Sequence, residues 1–167
     1  ISPSPYENEK NIKLINNKFI EPTIKAMNFL GYPFKGVLYA GLMFTKSDVF
    51  LIEYNIRLGD PECQALIARL ASNFLDICIA TEEQRLKDIQ IKLSVKKSIC
   101  IVMASKGYPE NYKSGYIIKG IDKVNDNNIV FHAGTKLNKN KELVTNGGRV
   151  LNIISKQHTL CLLYTSD

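Results

Sequence analysis

Two β-rich runs, Gly36 to Phe44 (GVLYAGLMF) and Val49 to Asn55 (VFLIEYN), constrain the architecture most, because only Thr45-Lys46-Ser47-Asp48 separates them. A polar turn that short joins neighbouring antiparallel strands, so the pattern predicts a hairpin. Asp60-Pro61 follows: the aspartate can cap free amides, and proline is preorganised for a first helical position. Leu66, Ile67, Leu70, Phe74, Ile77 and Cys78 then recur at three- and four-residue spacing, which predicts one amphipathic helix. Upstream, Leu14, Ile15, Phe19, Met27 and Leu30 predict another, stopped by Gly31 and kinked or divided by Pro22.

Beyond a charged segment from Glu82 to Lys97, read as a short helix plus linker, the pattern turns to β structure. Strands are expected at Ser98 to Ala104, Tyr116 to Lys119, Ile129 to Ala133 and Arg149 to Ile154, with a further one at Glu142 to Thr145. Gly107, Pro109, Gly115, Asn125 to Asn128 and Gly147-Gly148 punctuate them. The fold class expected is α+β, with a first domain over residues 1–96 and a small β-rich one over 97–158.

With 167 residues, 45% of them hydrophobic, the chain can build a packed core. A net charge of +6 suits anionic partners, but no run of like charges marks a nucleic-acid arm, and the aromatics fall mostly in apolar runs. No nucleic-acid partner is therefore expected. Cys63, Cys78, Cys100 and Cys161 form no C-x-x-C pair and sit in or beside apolar runs, so buried, reduced thiols of a cytoplasmic protein are expected. No apolar run approaches the roughly 18 residues of a membrane span, and no membrane partner is expected.

The chemistry should lie where the second run ends. Alternation puts Glu53, Asn55 and Arg57 on one face, with Ile52, Tyr54 and Ile56 packed on the other. A carboxylate and an amide oxygen two residues apart are hard donors of the kind Mg²⁺ prefers, with phosphates and water completing its shell. Arg57 could hold a phosphate or carboxylate through its planar fork. Alternation alone describes equally well the solvated face of an edge strand. The following Leu58-Gly59-Asp60-Pro61-Glu62 shifts the balance, since a glycine permits close approach and a helix N-terminus offers free amides to an anion. Capping for Asp60 and a favourable helix-dipole position for Glu62 are structural roles that stand in either case.

These residues carry a resemblance. Gly36-Val37-Leu38-Tyr39-Ala40-Gly41-Leu42-Met43 with Ile52 to Glu62 (IEYNIRLGDPE) resembles the C-terminal part of the ATP-grasp domain of the phosphoribosylamine–glycine ligase (glycinamide ribonucleotide synthetase) family. Gly107-Tyr108-Pro109 with Tyr112, Phe131 to Lys136 (FHAGTK) and Val144 to Leu151 (VTNGGRVL) resemble its C-terminal domain, in the same order. The resemblance implies a ligase that joins glycine to 5-phosphoribosylamine at the expense of ATP, through a glycyl phosphate. It makes Glu53 and Asn55 ligands of Mg²⁺ or Mn²⁺, and Arg57 a catalytic clamp. Asp60, Lys136, Gly147, Gly148 and Arg149 become substrate-binding residues, although a Gly-Gly turn between strands also explains Gly147-Gly148. His132 reads as a packed histidine. The family further implies a cytoplasmic enzyme, monomeric when complete.

The chain opens without methionine at Ile1-Ser2-Pro3-Ser4-Pro5, in loop chemistry, and carries no glycine-rich phosphate loop, so it reads as an internal fragment inactive alone. Residues 159–167 read as a non-native or truncated tail.

Overall fold

The computed structural model describes residues 1–125 and 127–159; the expected tail beyond Thr159, Cys161 and Asp126 lie outside them. The chain is α+β and divides into two compact units, one built from Pro3–Asp60 and Leu70–Leu93, the other from Ile1–Ser2, Pro61–Arg69 and the described residues from Ser94 onward.

The first unit opens with a helical run. Asn8 caps α1 (Glu9–Ile15) by accepting from the Asn11 amide at 2.9 Å. A wider π-helical turn, Asn16–Ile20, leads into α2 (Glu21–Phe29), and the Glu21 amide reaches back to the Asn16 carbonyl. The division expected from Pro22 is thus a widened turn just ahead of it. Proline cannot donate one turn back and its ring crowds that carbonyl, and a looser turn relieves both. Gly31, at φ +82°, ends the run.

Strands β1 (Tyr39–Phe44) and β2 (Val49–Asn55) form the expected antiparallel hairpin. Its turn is held by Thr45, whose amide bonds the Asp48 carbonyl at 2.9 Å, and by Lys18, whose ammonium reaches both Asp48 carboxylate oxygens at 2.7 and 2.8 Å. Phe19 and Val49 are buried, and the Tyr54 hydroxyl donates to the Phe19 carbonyl at 3.0 Å, fastening the hairpin to the helical run.

One detail of the alternation fails. Pairing runs Gly41 with Glu53 and then Leu42 with Leu51, so Ile52 is an extra, unpaired residue in a β-bulge. Ile52 is 63% exposed, and Ile56, beyond the strand end, 79% exposed; of the expected packing face only Tyr54 packs.

The long helix expected after Asp60 is two helices, α3 (Glu62–Arg69) and α4 (Phe74–Glu82). Between them the Ala71 amide bonds the Lys92 carbonyl at 2.9 Å, and the Asn73 side chain accepts from the Leu75 amide at 2.9 Å, capping a new helix. Between Glu82 and Lys97 only a short 3₁₀ turn, Leu86–Asp88, is helical. Apolar residues ring α4. Ala80 is buried, and Cys78, about 200° round the helix from it, is exposed. Cys63 and Cys100 are half-buried, so none of the described thiols has the burial expected for it.

In the second unit β7 (Arg149–Gln157) is the centre of a three-stranded antiparallel sheet, between β3 (Lys97–Ala104) and β4 (Asn128–His132). Flanked on both edges, it buries Val150, Leu151, Asn152, Ile154 and Ser155, and α3 packs against β3 and β7 through Ala65. The Ser98 hydroxyl donates to the Ala65 carbonyl at 2.6 Å. Arg69, buried, donates to the carbonyls of Ser94 and Lys96 and to the Ser2 hydroxyl.

A smaller pair, β5 (Thr135–Leu137) and β6 (Leu143–Thr145), completes the unit. The strand expected at Tyr116 to Lys119 is no full strand but lies along β6, with a bridge from Ile117 to Val144 and bonds from the Ile118 amide to the Leu143 carbonyl (2.8 Å) and from the Thr145 amide to the Tyr116 carbonyl (2.9 Å); β5 was not anticipated. Among the described residues no helix is long and apolar enough to cross a membrane.

Candidate metal and phosphate site

The bulge at Ile52 leaves the last stretch of β2 regular, so Glu53 and Asn55 share a face there, opposite Gly41 and Tyr39 of β1. The Asn55 amide nitrogen donates to Glu53 Oε1 at 2.7 Å. That bond sets the carboxylate beside the amide with the second carboxylate oxygen and the amide oxygen both left as donors. Glu53 is exposed and Asn55 half-buried, so the pair is open to a ligand.

Among the described residues no group of three or more His, Cys, Asp or Glu forms a metal cage. A site on this face supplies two oxygen donors and leaves the remaining positions to ligand and water, which fits a magnesium–nucleotide complex better than an all-protein site.

Arg57 lies past the strand end, exposed, and its guanidinium donates to the Leu58 carbonyl at 2.9 Å. No described contact joins it to the Glu53–Asn55 pair. Gly59 is buried and Asp60 exposed at the end of this unit, and Glu62 opens α3 in the other.

The second unit holds the other expected site residues. Gly147 packs backbone to backbone on Gly134: a Cβ on Gly134 would sit 2.6 Å from the Arg149 carbonyl oxygen and 2.7 Å from Gly147 Cα. Gly148 lies under two rings, where a Cβ would meet Tyr108 at 2.2 Å and Tyr112 at 3.1 Å. Ser105 ties the turn down, its amide bonding the Gly148 carbonyl at 2.7 Å and its hydroxyl the Gly147 carbonyl at 2.8 Å.

Packing therefore accounts for glycine at 148 without a ligand, while a Cβ on Gly147 would meet Gly134 Cα at a tight 3.0 Å. Arg149, half-buried, starts β7 opposite Ala104, while Lys136 is exposed on β5 opposite Val144. His132, expected to pack, is exposed and bonds Thr135 Oγ1 at 3.1 Å, because β4 is an edge strand. Ser105 and Gly134 escaped the sequence reading. A glycine inside Phe131 to Lys136 was the available signal for Gly134, whereas nothing local marks Ser105.

Two segments of the chain match family models. Residues 1–63 match the family model of the phosphoribosylglycinamide synthetase ATP-grasp (A) domain, and residues 98–161 that of the phosphoribosylglycinamide synthetase C domain. The chain belongs to the phosphoribosylglycinamide synthetase family. Among its relatives, the phosphoribosylamine–glycine ligase of Caldanaerobacter subterraneus subsp. tengcongensis is 43% identical over 155 residues, covering 93% of this chain and 37% of the relative. That of Clostridium acetobutylicum is 43% identical over 151 residues, covering 90% and 36%. The crystal structure of phosphoribosylamine–glycine ligase from Thermotoga maritima superposes with a TM-score of 0.78 at 30% identity, over 94% of this chain and 38% of that one. The chain thus spans little more than a third of the length of these family members.

Proposed function

We propose that this chain forms the C-terminal part of the ATP-grasp domain, residues 1–96, and the C-terminal domain, residues 97–158, of a cytoplasmic, monomeric phosphoribosylamine–glycine ligase. The reaction joins glycine to 5-phosphoribosylamine, with ATP converted to ADP and phosphate, and gives glycinamide ribonucleotide for purine synthesis. What carries this reading is the Glu53–Asn55 pair, a carboxylate and an amide joined by the 2.7 Å bond from Asn55 Nδ2 to Glu53 Oε1, within the segment that matches the ATP-grasp model.

In the reaction a glycine carboxylate oxygen attacks the γ-phosphorus and ADP leaves. The amine nitrogen of phosphoribosylamine then attacks the acyl carbon, inorganic phosphate leaves, and the nitrogen loses a proton. Such transfers depend on positioning and charge neutralisation. Glu53 and Asn55 hold Mg²⁺, or Mn²⁺, which when bound offsets the charge of the nucleotide phosphates. Arg57, on a short exposed segment, turns from the Leu58 carbonyl to the transferred phosphate or the glycine carboxylate. Asp60, Lys136 and Arg149 serve the substrates, with Gly147 and Gly148 shaping the turn beside Arg149.

The test is substrate dependence in the full-length ligase polypeptide. ADP release should require glycine and phosphoribosylamine together, with glycinamide ribonucleotide as product. Release that proceeds with a different acid or amine, and not with these, overturns the assignment.

A further inference from the structure

Glycine inside a strand weakens it, by about 0.5–1 kcal/mol relative to alanine, so its presence in β1 calls for a cause. Gly41 is not among the glycines of positive φ, and its backbone conformation is open to any residue. Its cause is spatial. Gly41 pairs directly with Glu53, and a Cβ at position 41 would stand 3.2 Å from Glu53 Cγ. The next atoms, the Glu53 carbonyl oxygen at 3.6 Å and amide nitrogen at 3.8 Å, are at ordinary contact distance. The backbone would therefore accept a side chain here, and only the Glu53 side chain would not.

We propose that Gly41 is a positioning residue: by carrying no side chain it leaves the volume in which Glu53 lies against Asn55 with its carboxylate open to the metal. The inference rests on the metal reading of Glu53 and Asn55. A Cβ alone asks Glu53 Cγ to yield by a few tenths of an ångström. The two further methyls of valine fill the space that the carboxylate arm crosses, and the 2.7 Å bond to Asn55 is lost with the displaced arm.

Valine is a strong strand former, so a glycine that is merely structural and a glycine that makes room predict different results. The experiment titrates Mn²⁺ in the presence of ADP against the full-length ligase polypeptide, reading free Mn²⁺ by electron paramagnetic resonance without turnover, with thermal unfolding in parallel. Gly41→Val should weaken Mn²⁺ binding by about 10–100-fold, the loss seen when groups that orient metal ligands are removed, while the melting temperature holds or rises. Gly41→Ala should weaken it less, and it decides the matter should the valine variant not fold. Wild-type Mn²⁺ binding in a folded Gly41 variant, with Glu53→Gln impaired, overturns the role of Gly41 alone. Wild-type binding in both variants overturns the metal reading beneath it.

Discussion

Gly148→Ala asks whether the Gly147-Gly148 turn is shaped by packing or by a ligand. The added Cβ would stand 2.2 and 2.6 Å from two carbons of the Tyr108 ring and 3.1 Å from Tyr112, so the Tyr108 ring must retreat by about 1 Å or more to regain carbon contact distance. Tyr108 is 42% exposed and can swing outward. Expelling it completely would uncover on the order of 110 Å² of ring, about 3 kcal/mol at ~25 cal/mol per Å², which is the ceiling. A partial shift has the usual overpacking cost of about 1–3 kcal/mol, and alanine returns about 0.4–1 kcal/mol by restricting the unfolded chain. The net expectation is a loss of about 1–2 kcal/mol, or a melting temperature lower by roughly 2–8 °C. Urea denaturation of wild type, Gly148→Ala, Tyr108→Ala and the double variant measures it. With the Tyr108 ring gone only the milder 3.1 Å contact with Tyr112 remains, so most of the cost should disappear in the Tyr108→Ala background. An equal cost in both backgrounds would refute the packing account and return Gly148 to a ligand-facing role.

Gly134→Ala should be worse, because the obstructing atoms are backbone: retreat would break the bonds from Gly134 N–H to the Arg149 carbonyl (2.8 Å) and from Asn146 N–H to the Gly134 carbonyl (2.7 Å). A loss of about 2 kcal/mol or more is expected in the same assay, with no relief from Tyr108→Ala. At the hairpin turn, the hydrogen bond from Lys18, then that from the Val49 amide, holds the Asp48 carboxyl below its ordinary range. The folded state thus binds this proton less readily than the unfolded one. The contribution is full above the ordinary carboxylate range and fades as pH falls through it toward the folded value. The stability gap between wild type and Asp48→Asn should therefore be widest near about pH 7 and close below roughly pH 4. A gap independent of pH would remove the ionic role of Asp48.

The hairpin was legible because a four-residue polar turn leaves neighbouring strands no other pairing. Its bulge was not, although Gly41 inside a strand was a signal for one. The stripe from Leu66 to Cys78 concealed a helix break because α3 and α4 each keep the helical period, and only Asn73, a capping residue, marked the interruption. The acid–amide pair was legible because strand alternation is local and survives beyond the bulge. The cluster of Ser105, Tyr108, Tyr112, Gly134 and Gly148 was beyond sequence reasoning, since it joins residues up to 43 positions apart whose contacts exist only once β3 and β7 are paired. Residues at element ends, such as Arg57, have directions that alternation does not set.

The central claim is that Glu53, steadied by Asn55, is a metal ligand of a glycine-activating ligase. Glycine- and phosphoribosylamine-dependent ADP release by full-length polypeptide carrying Glu53→Gln tests it most directly. The substitution keeps the shape of an exposed side chain, so the melting temperature should hold while kcat falls by about 100-fold or more, equivalent to at least ~2.7 kcal/mol of transition-state stabilisation. A folded variant that turns over within about twofold of wild type would contradict the account.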